Sequence, residues 1–414
     1  MSGTTETISD ALLASPPRNR WLRVALRMAE MIRVGTLTVV LPDGRTHRVA
    51  RTPHPAATVV IKDPRAAKRL ILGGSLGLAE AYVDGLWESP SIGDVMTLAA
   101  ENEAQWVQIL NGRPWIRFIS RLAHRLRPNS RQGARRNIVE HYDLGNDFYA
   151  AWLDPSMAYS AALFAGQDDT VEAAQNRKMH RLCAMLGLQP GMRVLEIGCG
   201  WGGFAEIAAR DYGCQVVGVT LSPSQLAYAT ARIKAAGLAD RVEFRLEDYR
   251  DTTGTFDRIA SIEMFEAVGR DYWPTYFDTL RARLAPGGLA GLQIITISDA
   301  LFDDYQSHAD FIQRHIFPGG MLPSPRQLQL QYARAGLVQR ASHWFGQDYA
   351  ETLRRWNVAF QAAWPDIQRS TRLQQRPCDA RFKRLWEYYL AYCETGFRAG
   401  WTDVGQILLS VDPA

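Results

Sequence analysis

The chain has 414 residues, 47% of them hydrophobic and 22% charged, with a formal net charge of +4. That composition excludes disorder, leaves room for two domains with large cores, and is too mildly basic to name a partner by itself. No apolar run of about 18 residues is present to span a membrane. MSGTTETISD does not read as a secretory leader, and five cysteines without a CxxC exclude a disulfide framework and suit a reducing compartment. Eight histidines in no HxxxH or HExxH pattern predict no transition metal.

Residues 1–20 read as a flexible N-terminus. From Trp21 to Ile32 apolar residues recur at helical spacing between Arg20, Arg23, Arg27 and Arg33. This basic amphipathic helix either packs on its own domain or rests on an anionic membrane surface. Thr36–Leu41 and Arg45–Ala50 flank Pro42-Asp43-Gly44 and predict a β-hairpin, with a third short strand over Thr58–Ile61. A helix from Pro64 to Leu72, a small-residue stretch from Gly73 to Ser89 and a helix from Ile92 to about Leu110 complete a small α+β domain over 21–125. Between Arg121 and Arg136 stand six arginines and no acid, broken by Pro128 and Gly133. This basic linker, 126–137, is either solvated or a phosphate-contacting loop. It is too short and too poor in aromatics to suggest nucleic acid.

A catalytic domain is expected over 138–414. Asn137–Phe164 is rich in aromatic residues, carries His141, Asp143 and Asp147, and is placed to act as a lid. A helix over 170–186 leads into VLEIGCGWGG, Val194–Gly203, where an apolar strand end, an acid, four glycines and a helical repeat follow in order. This is the first βα unit of a nucleotide-binding α/β sheet. A phosphate cradle gains from added positive charge. Here Glu196 opens the turn and no Lys or Arg follows before Gly203, which suits a cationic ligand without phosphates, S-adenosylmethionine (SAM).

Further strands are expected at Gln215–Val219, Val242–Leu246, Phe256–Ile262 and Leu289–Ile297, the last after a stop at Pro286-Gly287-Gly288. Helices are expected over 224–236, 272–284, 348–364 and 379–397. Strand ends carrying Glu196, Thr220, Asp248, Glu266 and the 293–297 segment should converge, because ligands of such sheets sit beyond the carboxyl ends of the strands. Residues 298–325 form a long insertion of the lid or binding-loop kind. Leu337–His343 and Gln406–Val411 read as an antiparallel sheet edge.

GSLGLAEAYVDG (74–85), HYDLGNDFY (141–149), LDPSMAYS (153–160), LEIGCGWGG (195–203), GVTLSPSQ (218–225), EDYRD (247–251), FDRIASIEMFEAVG (256–269) and FPGGMLPS (317–324) together resemble the cyclopropane-fatty-acyl-phospholipid synthase family, which includes the mycolic acid cyclopropane synthases. The resemblance runs from about residue 20 to 410, and the small N-terminal domain matches the longer bacterial branch that acts on phospholipids. It implies a Rossmann-like class I SAM-dependent methyltransferase sheet with helical insertions. The implied activity is transfer of a one-carbon unit to the double bond of an unsaturated acyl chain of a phospholipid, forming a cyclopropane. A lipid C-methyltransferase leaving a methyl or methylene branch, and a non-catalytic lipid- or SAM-binding module, are the alternatives.

Carried over position by position, the implied SAM contacts are Tyr159, Ser160, Glu196, Gly198, Gly200, Thr220, Leu221, Gln225 and Asp248. The implied reaction pocket comprises Glu266, Tyr389 and the backbone at Ile295, with a bound bicarbonate as base. Two positions depart from the family pattern. Ala161 stands where cysteine is common, and Gln293 where histidine is common; Gln293 still donates an N–H but cannot become cationic. Weaker or rearranged anion binding is therefore expected. The resemblance further implies a cytoplasmic enzyme at the inner face of the membrane, with a homodimer as one open assembly.

Overall fold

The structure, a computed structural model, describes residues 17–103, 105–106, 144–166, 168–307, 309–369 and 378–411. His141, Asp143 and the arginine-rich linker lie outside the described residues. The chain divides into two compact units, one of 1–122 with 377–395 and one of 123–376 with 396–414. The late segment joins the first unit by side-chain ties: Tyr82 donates its hydroxyl to Glu387 (3.1 Å) and Arg381 pairs with Asp84 (3.0 Å).

In the first unit the helix Arg20–Ala29 starts at Asn19, whose side chain accepts from the Trp21 amide at 2.9 Å. Leu22, Leu26, Met28 and Ala29 are buried while Arg20, Arg23 and Arg27 are exposed. The expected hairpin forms from β1 (Thr36–Val40) and β2 (Thr46–Ala50). β3 (Ala56–Ile61) pairs parallel to β1, and β4 (Trp87–Glu88) completes the order β2-β1-β3-β4. Two differences from expectation have local causes. The helix begun at Arg65 does not end at Leu72; it breaks at Gly74 (φ 61°) and resumes to Val83, burying Ala79 and Ala81 completely. The helix Ile92–Glu101 is capped by buried Asn102, which accepts from the Arg33 amide (2.7 Å) and donates to the Leu98 carbonyl (2.9 Å).

The second unit is built on β5 (Arg193–Ile197), β6 (Gln215–Thr220), β7 (Val242–Leu246), β8 (Phe256–Ile262), β9 (Leu284–Ile297), β10 (Leu337–Trp344) and β11 (Thr402–Val411), in the order β10-β11-β9-β8-β5-β6-β7. β5 to β9 pair parallel, and β11 lies antiparallel between β9 and β10. Leu195 and Ile197 face one core with Phe277, Leu280 and Leu292; Val194 faces the other with Phe204, Ile207 and Leu182. Period-two alternation thus buries both faces of a central strand. Strand order reverses on either side of β5, which opens a crevice at its carboxyl end. Pro286-Gly287-Gly288 is not a full stop: β9 begins at Leu284 and absorbs these residues in a register shift, Phe256 facing Leu284 and Arg258 facing Leu289.

The 298–325 insertion holds the helices Asp299–Tyr305 and Phe311–His315. It is fastened near the strand ends by the Met321 amide on the Glu266 carbonyl (2.8 Å) and the Ile297 amide on the Pro323 carbonyl (3.0 Å). Among the described residues no helix is long and apolar enough to cross a membrane.

Candidate active site

The turn after β5 is held by its own backbone. Amides of Gly198 and Cys199 both donate to the Val219 carbonyl at 3.0 Å, and Gly202 donates back to Cys199 at 2.9 Å. Gly198, Gly200 and Gly202 all take positive φ, which only glycine adopts freely. A Cβ on Gly198 would lie 2.7 Å from Met264, whereas one on Gly200 would meet nothing within 4 Å. Beside this turn opens a cleft of about 1200 Å³, measured out to its mouth. Tyr159, Ser160, Glu196, Gly198, Gly200, Thr220, Leu221, Gln225 and Asp248 all line it, with the apolar Met157, Met179, Ile262, Met264 and Val268.

Several of these groups are already engaged. Thr220 Oγ1 donates to Gln225 Oε1 at 2.9 Å, and Ser222, donating from its amide to Thr220 Oγ1, also caps the following helix. Asp248 accepts from Arg250 Nη2 at 2.6 Å and from the Arg250 amide at 3.0 Å. Glu196 is different: it is buried and its Oε2 has no hydrogen-bond partner. Desolvation raises its pKa well above the ordinary carboxyl value, against an opposing hydrogen bond from the Ala205 amide and the charge of Lys178. An orphaned carboxyl oxygen on a cleft wall fits a cationic ligand. SAM therefore suits the residues present.

A second cluster forms where β8 and β9 end. Glu266 Oε1 accepts from the Ile295 amide at 2.5 Å, and its buried Oε2 has no partner. Glu263, which also lines the cleft, gathers the rest. Its Oε1 accepts from the Ala161 amide (2.8 Å) and from Gln293 Nε2 (2.7 Å), and its Oε2 from the Tyr349 hydroxyl (2.7 Å). Gln293 is itself oriented by Gln406, its cross-strand neighbour, whose Nε2 donates to Gln293 Oε1 at 3.1 Å and to the Lys178 carbonyl at 3.0 Å. Lys178, fully buried, donates to Ser160 Oγ at 2.6 Å. Desolvation lowers its pKa to about 8, against the nearby Glu263, Asp154 and Glu196.

Both Glu263 and Glu266 keep some accessible surface while lying deep in the protein, and depth rather than area sets the desolvation each feels. That desolvation raises the Glu263 pKa, opposed by Lys178 and the three donors. Glu266 is pushed up to about 8, first by desolvation and then by the charge of Glu263, with the Ile295 amide as its chief support.

The structure therefore brings Ala161, Gln293, Ile295 and Glu266 together, with Glu263 between Ala161 and Gln293. Tyr389 lies in the first unit, buried, with its ring centroid 5.5 Å from that of Trp386. The tyrosine that meets the carboxylate is Tyr349. The bicarbonate expectation also meets an obstacle. The Ala161 amide, Gln293 Nε2 and the Tyr349 hydroxyl are engaged by Glu263 and the Ile295 amide by Glu266, so these donors do not fit a bound bicarbonate. Glu263 was legible only as one more acid after β8, and Tyr349 only as one aromatic in an aromatic-rich helix.

Tyr159 enters an aromatic cluster with Tyr149, Trp152 and Trp356, at centroid distances of 5.4, 5.8 and 5.4 Å. Ring faces of this kind stabilise positive charge.

Residues 129–407 match the family described as mycolic acid cyclopropane synthetase. The tuberculostearic acid methyltransferase UfaA1 of Mycobacterium tuberculosis is 39% identical over 381 residues, 89% of this chain and 86% of that protein. The cyclopropane-fatty-acyl-phospholipid synthase of Escherichia coli is 37% identical over 90% of this chain and 95% of its own length. Among solved structures, the mycolic acid cyclopropane synthase CmaA1 complexed with SAH and CTAB is similar at 31% identity with a TM-score of 0.61, covering 66% of this chain and 97% of that one.

Proposed function

The chain belongs to the mycolic acid cyclopropane synthetase family, and from that premise we propose that it transfers a one-carbon unit from SAM to the double bond of an unsaturated acyl chain in a phospholipid, forming a cyclopropane. The observation that carries the reading is one cleft, at the switch point of the sheet, lined by nine residues of the family's SAM pattern and walled with methionine, isoleucine and valine.

SAM supplies an electrophilic methyl group on a sulfonium. The chain's part is to hold that cation and to keep water from the carbocation formed after it. Glu196 offers an unpaired, buried carboxyl oxygen to positive charge. Gly198 and Gly200 let backbone approach without a Cβ. An alkene is a weak nucleophile, and its attack leaves a carbocation that water would capture. Met157, Met179, Ile262, Met264 and Val268 keep the cleft wall apolar. Tyr159 and the rings behind it present electron-rich faces. Bicarbonate has no step here, because its donors are taken.

The acyl chain is drawn from a membrane surface at the inner face of the cell, and the exposed Arg20, Arg23 and Arg27 of the first helix are the groups suited to anionic headgroups. Incubation with methyl-labelled SAM and oleoyl phospholipid puts the label in the acyl chain. Label only in headgroup, protein or nucleic acid refutes the reading. The similarity to a protein named as a tuberculostearic acid methyltransferase favours a second reading, a branched product. Mass and proton spectra separate ring from branch.

A further inference from the structure

We propose that Glu263 is the base of this reaction, a built-in carboxylate standing where the family resemblance expects a bound anion. The inference rests on the proposed one-carbon transfer and adds to it the group that takes the proton.

The first ground is the hydrogen-bond geometry. An anion site needs converging donors, and three converge here: the Ala161 amide, Gln293 Nε2 and the Tyr349 hydroxyl, each 2.7–2.8 Å from a Glu263 oxygen. Both carboxyl oxygens accept and neither donates, which is the pattern of an ionised carboxylate. Gln293 is held with its N–H toward Glu263 because its oxygen accepts from Gln406.

The second ground is the backbone. Glu263 has φ 48°; with Met157 (φ 57°) it is one of two non-glycine residues at positive φ among the described residues, and both line the cleft. Such a conformation is strained for a residue with a Cβ and persists where its surroundings over-determine it. Here the Glu263 amide donates to the Gln293 carbonyl at 2.8 Å. The turn thereby aims a carboxylate back across the strand ends.

The third ground is the contrast with Glu266. That acid has one donor on Oε1 and none on Oε2, and Glu263 raises its pKa. Two neighbouring carboxyl groups with unequal support separate into one ionised and one protonated member. Glu263, on whose oxygens three donors converge, is the member placed to carry the charge.

The step balances without a further reactant. The alkene π electrons form a bond to the methyl carbon, the C–S bond breaks, and sulfur keeps that electron pair. Glu263 then removes one proton from the added methyl group, and the freed C–H electrons close the third side of the ring. The proton resides on Glu263 until solvent takes it.

The test compares the wild-type chain with Glu263→Gln and Glu263→Gly in carbon dioxide-depleted buffer with and without added bicarbonate. Wild-type turnover is expected to change less than twofold on adding bicarbonate. Glu263→Gln, of equal volume, is expected to lose about 10²–10⁴-fold, the range for a positioned base, with SAM affinity retained and no rescue. Glu263→Gly is expected to fall comparably and to recover at least tenfold with bicarbonate. Carbon-13 bicarbonate is expected to bind the glycine variant by NMR and not the wild type.

A wild type that needs or binds bicarbonate, or a Glu263→Gln variant that keeps its turnover, overturns the proposal. If the wild type labels no unsaturated lipid, the functional reading fails instead, and the binding experiment still decides whether Glu263 fills an anion site.

Discussion

β5 and β8 are neighbours in the sheet, and each ends in a turn with positive φ, yet the two turns are built for opposite ends. After β5 the residue is Gly198 (φ 83°); after β8 it is Glu263 (φ 48°). The first turn removes side chains so that backbone can approach a ligand, with Met264 already 2.7 Å from where a Cβ would stand. The second accepts strain to present a carboxylate to donors from three distant segments. One backbone device thus clears a cleft wall by subtraction in one turn and places a carboxylate by addition in the other.

Breaking the first turn has the largest expected effect. Gly200→Val puts a β-branched side chain at φ 51° on the cleft wall. SAM affinity is expected to fall at least about 100-fold, roughly 3 kcal/mol, by titration calorimetry. Unchanged affinity would detach this turn from the cofactor.

The acid cluster is probed next through stability. Glu266 has a folded pKa raised to about 8, so its neutral form is favoured by folding. Stability from this group is complete below the unfolded carboxyl value near 4.5 and is lost as pH rises toward 8. The loss is on the order of 4 kcal/mol. Glu263 and Glu196 shift in the same direction, so only part of the slope belongs to Glu266. Denaturant midpoints between pH 5 and 9 are expected to decline less steeply in Glu266→Gln; parallel slopes would refute the assigned burial.

The smallest effect sharpens which tyrosine belongs to the cluster. Tyr349→Phe removes one donor from ionised Glu263, at a cost of roughly 1–2 kcal/mol. Turnover is expected to fall about tenfold, with SAM affinity unchanged. Because a lost donor raises the Glu263 pKa, the acid limb of the kcat profile should move to higher pH. Tyr389→Phe, in the other unit, is expected to change turnover by a smaller factor and to leave that limb in place. The reverse ranking would assign the hydroxyl's role to Tyr389.

The contrast between the turns also explains what reading the chain alone can reach. The glycine turn is contiguous, and its function is written in which side chains are missing. Thr220 and Asp248 follow from where strands end, whereas Ser160 came only from the family resemblance. Pro286-Gly287-Gly288 interrupts the ladder without ending the strand, since a parallel neighbour can hold a strand through a bulge that local turn chemistry alone would end. The acid cluster is of another kind. Glu263, Gln293, Tyr349, Gln406 and Lys178 come from five elements, and no periodicity links them.

By itself the sequence determined the parallel α/β sheet, the succession of its strands and the cofactor turn, because each depends on neighbours along the chain; the departures at Ala161 and Gln293 came from the family resemblance. Only the tertiary structure decided that Glu263 takes the donors around those departures, that Tyr349 joins it, and that Gln406 sets the direction of Gln293. Hydrogen bonds act over about 3 Å whatever the separation in sequence. Which residues come that close is fixed by the packing of β9 against β11 and by the fold that carries Tyr349 to Glu263.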